Sequence, residues 1–412
     1  MRKVTFIFLL LSLLSLNACA QWYIFPGKNS QKKQQENTVV KAKEVPESKD
    51  APVQEETVPT EEEVEIALEP ESDEYAFIAL DPVKVALILP LQANGNPSAN
   101  FYEMYSGALM AVKDLASKGS AIELNVFDSA DRMTALNAGI LENNDIILGP
   151  VSTDDLTKLL AVCPADKMLI SPLEPKAQEL ADSLNLIQAP SPWTCQYTEI
   201  ADWISSELRF NDRIILIKDE KGLGEQAQCL IASLDEKGVK YLPVNAISED
   251  IFPKGGPIRC IIASDRDDFI SSAIRTLSTF ASTGNCSITL YGTSKTRNAA
   301  TDIKVLHNLD THFTASYHID YDDPKVKDFI LRYRALYNNE PGSFAYQGYD
   351  TMRYFLQAAL TYGKQWYKKL PEYTQKGLQA DFKFQEDTAR TGNVNSAARR
   401  IRLNKDMSTF VQ

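Results

Sequence analysis

The sequence predicts an α/β protein built as two doubly wound, parallel-sheet lobes. From Val83 onward, short β-branched runs alternate with longer amphipathic stretches, the pattern of parallel strands with helices on both faces. The strand-like runs fall into two sets. Between them lies Gln188–Trp193, where Pro190 and Pro192 admit neither a helix interior nor a central strand.

Taken in order, the expected strands are Val83–Leu89, Ile122–Phe127, Asp145–Leu148, Lys167–Ser171, Arg213–Lys218, Val239–Val244, Ile258–Ala263 and Ser287–Tyr291. The expected helices are Tyr102–Ser117, Thr134–Asn143, Thr153–Val162, Cys195–Glu207, Glu225–Lys237 and Asp267–Ser282. Ligands of open parallel sheets bind outside the carboxyl ends of the strands, so the loops that follow strands are the candidate site. Those loops are Leu89-Pro90-Leu91-Gln92-Ala93-Asn94-Gly95, with Phe101 and Tyr102 after it, Gly149-Pro150-Val151-Ser152-Thr153-Asp154, and Ser171-Pro172-Leu173-Glu174-Pro175. In the second lobe Lys218–Gly224 and Tyr291-Gly292-Thr293-Ser294-Lys295 take the same positions. Ser152 can cap a helix whose first free amides could hold an anion.

Ahead of the lobes, Arg2 and Lys3 precede an apolar run from Val4 to Leu16, too short to span a membrane, that ends in Leu16-Asn17-Ala18-Cys19. This is the pattern of a bacterial lipoprotein signal over residues 1–18, with Cys19 the lipidated residue; a plain secretory peptide cut near Ala18 or Ala20 is the alternative. Residues 41–74 hold 13 Asp and Glu against 3 Lys, a net of −10 out of the −12 of the whole chain. From Gly27 to Glu74 the composition lacks helical or strand periodicity. Residues 19–80 are therefore expected to form a lipidated, disordered acidic tether spanning roughly 45 Å by the 5–6 Å × √n scaling of flexible chains. Its acidity could instead recruit a basic partner. Cys163, Cys195, Cys229, Cys260 and Cys286 follow in the globular part, an odd number without CxxC spacing.

The residues from about Val83 to the C-terminus resemble the type I periplasmic solute-binding proteins, whose best-known members bind branched-chain amino acids. The resemblance rests on Val85-Ala86-Leu87-Ile88-Leu89-Pro90-Leu91, Phe101-Tyr102 leading to Gly107-Ala108-Leu109-Met110-Ala111-Val112, Ile147-Leu148-Gly149-Pro150, Ile170-Ser171-Pro172 and Phe344-Ala345-Tyr346-Gln347-Gly348-Tyr349-Asp350. Tyr321-Asp322-Asp323-Pro324 and Gly377-Leu378-Gln379-Ala380-Asp381-Phe382 look more narrowly like a lipoprotein subgroup often linked to LysM peptidoglycan-binding modules; no LysM module is found here. The resemblance implies lobes joined by a three-segment hinge, with 81–190 and 322–376 in lobe one and 191–321 and 377–412 in lobe two. It places crossings near Gln188–Trp193, Tyr317–Asp323 and Gly377–Phe382. It implies ligand contacts at Phe101, Tyr102, Val151, Ser152, Ser171, Leu173 and Glu174, with Lys221 and Ser294 opposite. Lys221 stands where amino-acid binders carry an aromatic, and Gly292-Thr293-Ser294-Lys295 offers no carboxylate for an α-ammonium, so a free α-amino acid is a poor ligand.

An enzyme is not expected. Gly222-x-Gly224-x-x-Ala227 has the form of a dinucleotide fingerprint, but no acidic residue closes the next strand near Asn245, and outside the cytoplasm NAD is absent. His307, His312 and His318 are close in sequence; an alternating strand over Thr311–Asp320 would set His312 and His318 about 20 Å apart at ~3.3 Å per residue. Neither a Gly-x-Ser-x-Gly nor a plausibly placed Ser-x-x-Lys supplies a nucleophile. No cofactor, metal or nucleic acid is expected. What is expected is either a small-ligand receptor, as in an ABC transporter-type substrate-binding component, or a regulatory lipoprotein acting on envelope or peptidoglycan enzymes by protein contacts. Ala20 after Cys19, with no acidic cluster beside it, suggests an outer-membrane anchor facing the periplasm by resemblance to sorted lipoproteins.

Overall fold

The computed structural model describes residues 21–24, 79–92, 95–131, 136–174, 177–180, 185–209, 212, 214–248, 251, 257–283, 286–300, 302–385 and 393–412; Cys19 and the acidic segment lie outside them. The first sheet holds β1 (Gln21–Ile24), β2 (Val83–Leu89), β3 (Ile122–Asp128), β4 (Ile146–Leu148), β5 (Leu169–Ser171) and β6 (Leu186–Gln188), in the order β1-β3-β2-β4-β5-β6. Its neighbours are parallel except β1, which runs antiparallel to β3 from Gln21↔Asn125 to Ile24↔Ile122. An unbroken tether over 19–80 is thereby corrected. The residues Trp22-Tyr23-Ile24 have strand propensity, and β3 offers an open edge with unpaired backbone groups.

Helices α1 (Ala99–Ala116), α2 (Ala138–Glu142) and α3 (Thr153–Leu160) alternate with these strands. The second sheet takes β7 (Ile214–Lys218), β8 (Tyr241–Val244), β9 (Pro257–Ala263), β10 (Ser287–Thr293) and β11 (Thr311–Ala315), connected by α4 (Thr194–Glu207), α5 (Glu225–Glu236), α6 (Asp267–Ser282), α7 (Ser294–Ala299) and α8 (Ile303–Asn308). The chain then returns to the first lobe as α9 (Pro324–Tyr337) and α10 (Ser343–Tyr362), makes the small hairpin β12 (Gln375–Lys376) and β13 (Asp381–Phe382), and ends in lobe two as β14 (Arg399–Leu403) and β15 (Thr409–Val411). The second sheet has the order β15-β14-β11-β10-β9-β7-β8, parallel from β8 to β11 and antiparallel at β14 and β15.

In lobe one, α1 and α10 cover one sheet face over a core that includes Leu87, Ile170, Tyr354 and Phe355. Gly107 and Gly348 let these helices touch: a Cβ at Gly107 would overlap the Ala345 carbonyl, and one at Gly348 the Met104 carbonyl. In lobe two, His312 stacks on Trp203 at 4.8 Å. Glu207, at the end of α4, accepts hydrogen bonds from Trp203 Nε1 at 2.7 Å and Tyr291 OH at 2.5 Å. Burial alone would raise the Glu207 carboxyl, but the His312 ring and these donors outweigh it and hold the group down to about 2. The strand ends at Ala315, so His318 does not share it with His312 as the alternation implied; the next residues leave the sheet as the second crossing.

The lobes are linked at 189–193, at 316–323 and between Phe384 and Arg399. The last differs from the expected crossing near Gly377–Phe382, and with it the assignment of 377–385 to lobe two. Leu378, Phe382 and Phe384 are buried in the first core, where Phe382 stacks on Tyr354 at 4.5 Å. Aromatic burial holds this segment in lobe one.

Two side chains tie the crossings together. Asn395 donates to the carbonyls of Ala189 at 2.9 Å and Asp381 at 2.8 Å and accepts from the amides of Lys383 and Ala397. Arg399, 5% exposed, donates to the carbonyls of His318 (2.5 Å), Leu378 (3.1 Å) and Gly377 (2.6 Å) and pairs with Asp381 at 2.7 Å.

Candidate functional site

Each five-stranded parallel sheet has its second strand outermost, then the first, third, fourth and fifth, so the direction of winding reverses between β2 and β4 in lobe one and between β7 and β9 in lobe two. The crevices at the carboxyl ends of those strands are the expected ligand positions of such sheets.

In lobe one the crevice is framed by the loops after β2 and β4. Asp128, closing β3, accepts the amides of Leu91 at 2.9 Å and Ala130 at 3.0 Å through Oδ1, while its Oδ2 is buried without a partner. Gly149 has φ +102°, and a Cβ there would overlap the Ile88 carbonyl, so only glycine lets β4 leave the sheet beside β2. Ser152 follows as the cap of α3. Its Oγ accepts the Asp155 amide at 3.2 Å and donates to the Asp155 carboxylate at 2.8 Å, so ordinary capping occupies that hydroxyl. Thr153 Oγ1 donates to Glu174 at 3.4 Å, which brings the loops after β4 and β5 together.

Val151 and Leu173 are half-buried against the first core. Phe101 meets Phe344 edge to face at 6.2 Å, and Tyr102 is 41% exposed. Ser171 differs from these. It is fully buried at the end of β5, and its hydroxyl has no partner.

In lobe two the crevice is filled from within. Asp219 accepts from Lys221 N at 3.1 Å and Ser264 Oγ at 2.8 Å and lies 3.4 Å from the Arg266 guanidinium. Asp265, just after β9, accepts the amides of Gln226 at 3.1 Å and Ala227 at 2.7 Å. The amino end of α5 therefore already holds a carboxylate, the protein's own. A Cβ at Gly222 would overlap Asp219, and one at Gly224 would overlap Asp265. The Gly-x-Gly pattern thus serves the approach of these carboxylates, and the place where a dinucleotide phosphate would sit is occupied.

Ser294 donates to Gln196 Oε1 at 2.7 Å, and its amide donates to the same oxygen at 3.1 Å. Lys221 carries an exposed side chain. The structure thus brings Ser152, Thr153, Ser171 and Glu174 into one region of lobe one. Ser294, by contrast, is committed to Gln196, and Lys221 stands at the surface.

Sequence reasoning missed Asp128, Gln196 and Asp265, and read Gln347 and Gln379 only as members of motifs. Asp128 and Asp265 sit at or just beyond strand ends, the rule that found the other loops. Gln347 donates to the Pro172 carbonyl at 3.1 Å, and Gln379 donates to Gln347 Oε1 at 3.3 Å, pairings between segments far apart in sequence. The five globular cysteines are free, and Cys260 is buried in the second core, where burial pushes its thiol up. Among the described residues no group of three His, Cys, Asp or Glu could hold a metal ion.

No protein-family model matches the sequence, and no curated protein matches it. Among solved structures, the chain is similar to a Rhodospirillum rubrum protein provisionally assigned to a branched-chain amino acid ABC transporter, at 15% identity and a TM-score of 0.56, over 81% of this chain and 100% of that one. It is also similar to the branched-chain amino acid substrate-binding protein LivJ of Streptococcus pneumoniae in complex with isoleucine, at 17% identity and a TM-score of 0.39 over 81% and 99% of the two chains. A solute-binding protein of an ABC transporter from Rhodopseudomonas palustris, in complex with 3,4-dihydroxybenzoic acid, matches at 14% identity and a TM-score of 0.41 over 77% and 93%. The Rhodospirillum match and the two wound sheets establish the type I periplasmic binding protein fold.

Proposed function

We propose that this protein is an envelope-tethered solute-binding lipoprotein, lipidated at Cys19 and facing the periplasm from the outer membrane. It takes a small polar ligand between its lobes, in the manner of an ABC transporter substrate-binding component. The observation that carries this reading is Ser171, a fully buried hydroxyl without a partner at the carboxyl end of β5. An unmet buried polar group costs roughly 1–3 kcal/mol. A ligand reaching that strand end would repay it, with Thr153 and Glu174 beside it and Lys221 approaching from lobe two. Ser152 can join only by exchanging its bond to Asp155.

Native mass spectrometry of protein purified without denaturation tests whether a small molecule travels with the chain. A thermal-stability panel of amino acids, peptides, muropeptides and other carboxylates extends it, since ligand at ~100 times Kd adds about 2.7 kcal/mol. A stabilising ligand unaffected by Ser152→Ala, Ser171→Ala and Lys221→Ala together refutes the site. One observation favours a second reading, a non-enzymatic regulator that acts through protein contacts: in lobe two the α5 amides and the Ser294 hydroxyl are spent internally. A lipoprotein captured with an envelope enzyme and without a small molecule would support it.

A further inference from the structure

Resting on the solute-binding reading, we infer that the hinge-side wall of the cleft is a built subsite, formed by Ser171, Gln347 and Gln379, for an uncharged hydrogen-bonding group of the ligand, a hydroxyl or an amide. The loop Gly377–Ala380 has its backbone almost wholly committed. The Asp350 carboxylate accepts the amides of Leu378 (2.7 Å), Gln379 (2.7 Å) and Ala380 (3.1 Å). Arg399 holds the carbonyls of Gly377 and Leu378, and the His318 amide donates to the Gln379 carbonyl at 2.8 Å. On this fixed loop the Gln379 side chain is 4% exposed, and Gln347, itself tied to the Pro172 carbonyl, pins its nitrogen. Gln379 Oε1 is left without a partner, as is the Ser171 hydroxyl next to Pro172. Two orphaned polar atoms thus end one chain of contacts, both on rigid supports, which is the arrangement a specific recognition point requires.

The surroundings decide the chemistry. The charged groups of the wall are already used: Arg399 by Asp381 and three carbonyls, Asp350 by three amides. Glu174 and Lys221 stand at the Ser171 end alone; a ligand ammonium or carboxylate reaching Gln379 would find no uncommitted opposite charge to offset its desolvation. A hydroxyl or amide needs only the neutral partners present.

The test uses the full chain without its signal peptide, with N-acetylglucosamine and N-acetylalanine amide as neutral probes and leucine and glutarate as charged ones. Thermal shift and calorimetry are expected to show stabilisation by a neutral probe, with the affinity reduced at least tenfold by Gln379→Leu. Ser171→Ala is also expected to melt no lower than the parent without ligand, because it removes an unmet polar atom, whereas Gln379→Leu also breaks the bond to Gln347 and is read by affinity. A charged probe that binds equally to parent and Gln379→Leu overturns this subsite while leaving solute binding intact. A lower melting temperature in unliganded Ser171→Ala, or a crystal structure with one sealed water bridging Ser171 Oγ and Gln379 Oε1, overturns it without reference to any probe. If neither probe class binds, this inference falls, and native mass spectrometry then judges the broader reading separately.

Discussion

Replacing Arg399 with methionine is expected to destabilise the whole two-lobed body. Arg399 is 5% exposed, and its guanidinium makes five hydrogen bonds, two to Asp381 Oδ1 and one each to the carbonyls of His318, Leu378 and Gly377. A hydrogen bond involving a charged group contributes about 1.5–3 kcal/mol, but the five share one side chain and do not add. The better guide is the loss of one partner from a buried ion pair, about 3–5 kcal/mol, because the other charge is left uncompensated. At ~2 °C per kcal/mol for a body of this size, Arg399→Met should melt about 6–10 °C lower. Urea unfolding followed by tryptophan fluorescence measures the loss, and adding Asp381→Asn separates its causes. Removing the stranded charge should restore ~1 kcal/mol or more. A single-variant loss below ~1 kcal/mol, or no recovery in the double variant, would refute the idea that this pair organises the hinge.

A pH titration tests the Glu207 cluster. Its carboxyl is held down to about 2, below its ordinary value near 4.5, so its contribution is present above about 4.5 and lost as pH falls toward 2; Glu207→Gln should flatten the fall in melting temperature over that window. Gly348→Ala, whose methyl would enter the Met104 carbonyl, should cost about 1–3 kcal/mol by forcing α1 and α10 apart, read by chemical denaturation; an unchanged midpoint would contradict the close approach. Cys19→Ser should convert the protein from a detergent-phase to a soluble periplasmic form, and continued partition into detergent would refute lipidation.

Much of the fold was legible because it is local. Val83–Leu89 and Asp267–Ser282 form as expected, the first an apolar run broken only by Lys84 and the second an amphipathic repeat. β6 was hidden because three residues are too few for periodicity and lie against Pro190 and Pro192. The last crossing was misplaced because a hinge and a core strand look alike in sequence, and only the stacking of Phe382 on Tyr354 separates them. The loops of the candidate site were legible as position and not as state. The loops after strands are where the sequence put them, yet whether a hydroxyl is spent depends on residues far away in the chain, as Asp265 on Gln226 and Gln196 on Ser294 show.

Among the described residues the chain crosses between lobes three times, and three is odd. A chain that passes between two bodies an odd number of times must begin in one and finish in the other, as this one does from β2 to β15. Donor and acceptor fluorophores placed ahead of Val83 and after Val411 would therefore ride on different bodies, and their energy transfer would track the angle between lobes without any label in the cleft. By the same parity, a tether that leaves from the amino-terminal side restrains lobe one alone. Under the proposed anchoring, lobe two is then the body left free to move.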